Sequence, residues 1–148
     1  MRVSVIGGGS VDDSTAAVAR DVGRLLGERG HEVICGGLGG VMAATCRGAR
    51  ETGARTVGIL PGADPAGANE YVDVPIATGM GNARNALVVG NGDAAIAIDG
   101  KYGTLSEIAL ALDRGIPVAA IDSHDVEGVE TVDSAEEAVE FVESAVSE

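Results

Sequence analysis

Three glycine-rich segments carry the most legible chemistry in this chain: Gly7-Gly8-Gly9-Ser10, Gly36-Gly37-Leu38-Gly39-Gly40 and Gly100-Lys101-Tyr102-Gly103. Each follows a short apolar run and precedes a helical pattern. A helix start exposes unpaired N–H groups and the positive end of the helix dipole. Glycine lets an oxyanion approach the backbone. Repeated at several strand ends, this pattern points to an anion site, most naturally for a phosphate. A single glycine turn would also suit any tight connection between a strand and a helix.

The named nucleotide motifs do not match. A Walker loop needs Gly-Lys followed by Ser or Thr, but the only lysine stands in Gly100-Lys101-Tyr102. The dinucleotide fingerprint would place its third glycine where Asp12 stands, and its ribose-binding acid where Cys35-Gly36 stands. A mononucleotide or another phosphorylated small molecule fits these turns better than NAD or hydrolysed ATP.

The elements that position these turns alternate in kind. Val3 to Ile6 reads as a strand and Asp13 to Arg29 as a helix with Val18, Val22, Leu25 and Leu26 on one face. Glu32 to Cys35 is a second strand, Val41 to Glu51 a small-residue helix, and Thr56 to Leu60 a third strand. Ala63 to Glu70 is loop-like, Tyr71 to Ile76 a short strand, and Asn82 to Gly90 a helix. Ala94 to Ile98 is a strand, Leu105 to Arg114 a helix and Ile116 to Ile121 a strand. The tail Ser134 to Ser147 opens on the capping box Ser134-x-x-Glu137. Such alternation predicts a single α/β domain over residues 1–148, a modified Rossmann fold with a mostly parallel sheet and helices on both faces.

Composition narrows the function classes. A chain of 148 residues with 45% apolar residues can bury a core without staples and is not expected to be disordered. Three aromatic residues make no stacking platform for single-stranded nucleic acid. The net charge of −13 disfavours capture of a nucleic-acid backbone or an anionic membrane. Nine arginines against the single Lys101 on so acidic a chain fit a halophilic, salt-adapted protein. No leader and no membrane-length apolar run is legible, so a cytoplasmic protein is expected. Cys35 and Cys46 read as small buried hydrophobes, and neither His31 nor His124 has neighbours at metal-ligand spacing, so no metal site is expected. A lone lysine on a small scaffold excludes pyridoxal-type lysine decarboxylation.

Gly36-Gly37-Leu38-Gly39-Gly40-Val41-Met42 resembles the G-G-x-x-G-x-M turn of a nucleotide-binding family. Gly103-Thr104-Leu105-Ser106-Glu107 resembles that family's P-G-G-x-G-T-x-x-E, and Arg84 stands 23 residues before Glu107, where the family carries an arginine. The family is that of the Lonely Guy cytokinin riboside 5′-monophosphate phosphoribohydrolases, often mislabelled lysine decarboxylases. A branch that includes molybdenum-cofactor carrier proteins and uncharacterised microbial proteins is closer, because the Arg84-Asn85 pair is like that branch. The hydrolases carry Pro-Gly-Gly where this chain has Asp99-Gly100-Lys101.

The resemblance implies that Arg84 and Glu107 are catalytic. Arg84 would orient a nucleoside 5′-monophosphate, and Glu107 would activate water and stabilise the ribosyl cation. Gly8, Gly9, Ser10, Gly36, Gly37, Gly39, Gly40, Met42, Asn85, Gly100, Lys101, Gly103 and Thr104 would form the phosphate or nucleotide site. Hydrolysis would require no cofactor. The alternative is a non-catalytic carrier of a phosphorylated ligand such as the molybdenum cofactor. Either way the resemblance implies a homodimer or larger assembly. Thr104-x-x-Glu107 is also a capping box, so Glu107 has a purely helical reading, just as Arg84 has one as a surface ion pair.

Overall fold

The computed structural model describes all residues 1–148. Seven strands form one sheet: β1 (Arg2–Gly7), β2 (Glu32–Cys35), β3 (Thr56–Leu60), β4 (Val74–Ala77), β5 (Ala94–Ile98), β6 (Val118–Ile121) and β7 (Glu130–Thr131). Their order is β4-β3-β2-β1-β5-β6-β7, and every neighbouring pair is parallel. The sequence suggests a mostly parallel sheet, and the fold is parallel throughout. A sheet covered on both faces explains β5, in which all five residues are buried.

Five helices cover the sheet: α1 (Asp13–Glu28), α2 (Val41–Glu51), α3 (Asn85–Gly90), α4 (Tyr102–Asp113) and α5 (Ala135–Ser147). Alternate strand residues divide the core. Val3, Val5, Val33, Ile96 and Ile121 pack with α1, α2 and α5. Ile6, Ile34, Ile59, Ala95 and Ala97 pack with α3 and α4. This two-sided burial is why β1 and β2 read as near-continuous apolar runs, with successive residues entering opposite halves of the core.

Local signals account for most of the boundaries. Asp12 caps α1 by accepting from the Thr15 N–H at 2.8 Å. Ser134 accepts from the Glu137 N–H at 3.2 Å, as its capping box predicts, while the Glu137 carboxylate reaches the Asp133 N–H at 2.9 Å. Two elements have weak local signals. The helix expected over 82–90 is a single 3₁₀ turn at Gly81–Arg84 followed by α3. The two-residue β7 is too short to show a period.

Helices α1 and α2 touch backbone to backbone. A Cβ on Gly23 would overlap the Thr45 carbonyl, and one on Gly48 would overlap the Arg20 carbonyl and stand 3.0 Å from the Arg24 amide. Both obstacles are main chain in the middle of helices, so neither can swing aside. Gly48→Ala should therefore destabilise the fold by about 1–3 kcal/mol. Chemical denaturation gives the value, and stability equal to or above wild type would contradict this packing.

Candidate functional site

The chain order runs outward from β1 to β4 on one side, then restarts at β5 on the other. A crevice opens at such a reversal, beyond the carboxyl ends of the two central strands. Here it is a cleft of about 310 Å³ between the turns after β1 and β5, walled by the 3₁₀ turn before α3. That volume lies at the lower end of small-molecule sites.

Most of the expected site residues meet there. Gly8, Gly9, Ser10, Gly36, Met42, Arg84, Asn85, Gly100, Lys101, Gly103, Thr104 and Glu107 all line the cleft. Gly37, Gly39 and Gly40 do not. A Cβ on Gly37 would stand 2.6 Å from Leu60 Cδ2, and one on Gly40 would overlap the Gly8 carbonyl. Both have positive φ, 80° and 61°. Gly39 lies against the Gly9 carbonyl, 3.3 Å from where its Cβ would be. The Val41 N–H donates to the Gly8 carbonyl at 2.9 Å. Gly39 and Gly40 therefore let the second turn brace the first, while Gly37 fits against β3.

The helical reading of Glu107 fails on geometry. Helix α4 starts at Tyr102, three residues before the sequence places it, and its N-cap Lys101 has no side-chain cap bond. Glu107 thus lies in the second turn, out of reach of the cap. Glu107 is 8% exposed, makes no side-chain hydrogen bond or ion pair, and lines the cleft. Burial pushes the carboxyl up to about 7, against a downward pull from the Arg84 guanidinium.

Arg84 is not a surface ion pair. It is 7% exposed and belongs to no salt bridge. Its Nε donates to the Ile59 carbonyl at 3.0 Å, and its Nη1 donates to Asn85 Oδ1. Asn85 Nδ2 donates to Ser106 Oγ at 3.3 Å, which donates to the Gly103 carbonyl at 2.7 Å. One hydrogen-bonded chain thus joins the arginine to the glycine turn that opens α4. Gly36 completes the cradle: a Cβ there would stand 2.8 Å from both Arg84 Nη2 and Met42 Sδ.

Two polar side chains of the cleft, Asn82 and Asp99, fall outside the sequence-based set. Asn82 sits on the 3₁₀ turn, within the same Met80-to-Asn85 segment that marks Arg84. Asp99 directly follows β5 at φ 55°, and its carboxylate lies 2.9 Å from where a Cβ of Gly8 would be. A non-glycine residue in the left-handed region at a strand end is a signal only coordinates reveal. No three His, Cys, Asp or Glu side chains are grouped to hold a metal ion. No helix is long and apolar enough to cross a membrane.

Such a cleft can hold an anion on backbone amides, neutralise it with Arg84 and Lys101, and present one protonatable carboxyl beside it. Comparison with known proteins narrows the class. An uncharacterised protein of Archaeoglobus fulgidus is 45% identical over 142 residues, covering 95% of this chain and 93% of that one. The structure of the molybdenum cofactor binding protein from the phototrophic bacterium Rippkaea orientalis matches with a TM-score of 0.92 and 31% identity, covering 98% of this chain and 96% of the other. The Moco carrier protein from Chlamydomonas reinhardtii matches with a TM-score of 0.88 and 29% identity, covering 99% and 97%. The family model that matches spans residues 1–147, and the chain belongs to the SLOG cluster4 family.

Proposed function

We propose that this chain binds and carries a phosphorylated pterin of the molybdenum-cofactor class in the cleft between β1 and β5. The observation that carries this reading is the full-length likeness to a molybdenum cofactor binding protein at 31% identity. The cleft chemistry supports it. The turns at Gly8 to Ser10 and Gly100 to Thr104 would hold the phosphate on main-chain N–H groups and the Ser10 and Thr104 hydroxyls. Arg84, fixed through Ile59 and Asn85, would supply the counter-charge. Asp99 and Asn82 would take the N–H and C=O edges of a heterocycle. Oxidising the purified protein and reading pterin fluorescence and the mass of the released ligand tests the proposal. A phosphorylated pterin is expected, and a purine nucleotide in its place would overturn it.

A second reading is hydrolysis of a nucleoside 5′-monophosphate to free base and ribose 5-phosphate. Glu107 favours it, because a buried carboxyl near 7 suits general acid–base work at neutral pH. Glu107→Gln separates the two. A hydrolase would keep AMP binding and lose base release by ~100-fold or more, whereas a carrier would release no base in either form.

A further inference from the structure

We propose that Cys35 and Cys46 form a reversible disulfide within one chain on reaction with a peroxide. They are the only two cysteines, so no other pairing competes inside the chain. Cys35 ends β2, Cys46 lies on α2, and their sulfurs stand 3.5 Å apart. A disulfide needs about 2.05 Å, so closure asks for a movement of roughly 1.5 Å shared by two side chains and a turn.

The surroundings divide the roles of the two thiols. Cys35 also receives the Gly37 N–H at 3.3 Å. The Cys46 thiol, in hydrogen-bond contact with it, holds the Cys35 thiol below its ordinary value, with help from the Gly37 amide and the Arg84 guanidinium against burial. Cys46, in the same contact and buried beside it, is pushed up. Cys35, which receives the Gly37 N–H and directly precedes the cleft residue Gly36, is therefore the attacking sulfur and Cys46 the resolving one. Both sulfurs are buried, and Met42 packs against the pair. Met42 and Gly36 also line the cleft, so a displacement of the Met42 side chain is what would admit a peroxide-sized oxidant from the cleft wall to Cys35.

The step balances. The Cys35 thiolate attacks one peroxide oxygen, the O–O bond breaks, and the departing hydroxide takes up the Cys35 proton as water. This leaves a sulfenic acid on Cys35. Cys46 sulfur then attacks Cys35 sulfur, the S–O bond breaks, and the leaving hydroxide takes the Cys46 proton as a second water. Two thiols lose two electrons and the peroxide gains them. A dithiol reductant reverses the change.

Closure would be felt at the cleft. Gly36 follows Cys35 directly and is wedged between Arg84 and Met42, so drawing β2 towards α2 moves the turn that holds both.

The test uses the full chain treated with hydrogen peroxide and then assayed for thiols. The native protein is expected to lose both thiols and 2 Da, to stay a single chain on non-reducing gels, and to melt roughly 5 °C higher. Amide exchange of residues 36–42 should slow. In Cys46→Ser, dimedone should trap a sulfenic acid on Cys35, whereas in Cys35→Ser the remaining thiol should stay unreacted. Two thiols persisting in the folded protein, cross-linking between chains, or trapping on Cys46 instead would overturn the proposal. All readouts are independent of any ligand, so they stand or fall apart from the carrier reading.

Discussion

Arg84→Ala is expected to weaken binding of a phosphorylated pterin about 100-fold, or roughly 3 kcal/mol, with the fold intact. The guanidinium is buried in the cleft wall and forms no salt bridge, so an incoming phosphate would meet a charge already stripped of water, most fully below pH 7 where nearby Glu107 is protonated. Its Nε is held by the Ile59 carbonyl, and so the ligand gains a positioned donor without ordering a long side chain. Arg84→Lys should recover only part of the loss, because one ammonium cannot serve Ile59, Asn85 and a phosphate together. Arg47→Ala is the control. That arginine lies over the Tyr71 ring at 5.9 Å, outside the cleft, and removes the same formal charge. Calorimetric titration decides: an Arg84→Ala affinity within a factor of about three of the Arg47→Ala value would end the assignment of Arg84 as the anion's counter-charge.

The second large effect concerns stability and pH. Glu107 titrates near 7 in the folded chain and near its ordinary 4.5 when unfolded. The folded state therefore binds the proton more tightly. Its contribution to stability is full below about 4.5 and is lost as pH rises through about 7. The ionised carboxylate costs the fold about 3 kcal/mol at pH 8.5. Glu107→Gln removes that cost, because the amide has nearly the same shape and no charge. Gln should melt roughly 8 °C above wild type at pH 8.5 and within about 1 °C of it at pH 4.5. An equal gap at both pH values would show that burial of the charge is not the cause. A bound dianion should push the carboxyl further up, so ligand affinity is expected to fall as pH rises past 7 in wild type and much less in Glu107→Gln.

Local sequence signals differ in strength from element to element. β1, β2, β3 and β5 announce themselves through apolar runs closed by glycine. Asp12 and Ser134 mark helix starts by a mechanism that works within four residues. The motifs around Gly36, Arg84 and Glu107 point to a Rossmann-like family, and the likeness to molybdenum-cofactor carriers supports the carrier-like side of that resemblance. The carboxylate motif misled in one respect. Thr104-x-x-Glu107 has the spacing of a cap, yet Lys101 and the left-handed Gly100 start α4 earlier, which turns Glu107 inward.

A parallel α/β architecture and a set of glycine turns fit to hold an anion are legible in the residues alone, because apolar runs, helix caps and turn chemistry act over a few residues. Which of those turns line the cleft depends on how distant elements pack. Gly8, Gly36 and Gly103 open onto the cleft, whereas Gly37 and Gly40 serve contacts with Leu60 and Gly8, and nothing local distinguishes one glycine from another. The same holds for the charges. Burial of Arg84 and Glu107 follows from α3 and α4 packing over residues far away in the chain, and it is that loss of water which turns two ordinary side chains into a counter-charge and a proton-sensitive carboxyl.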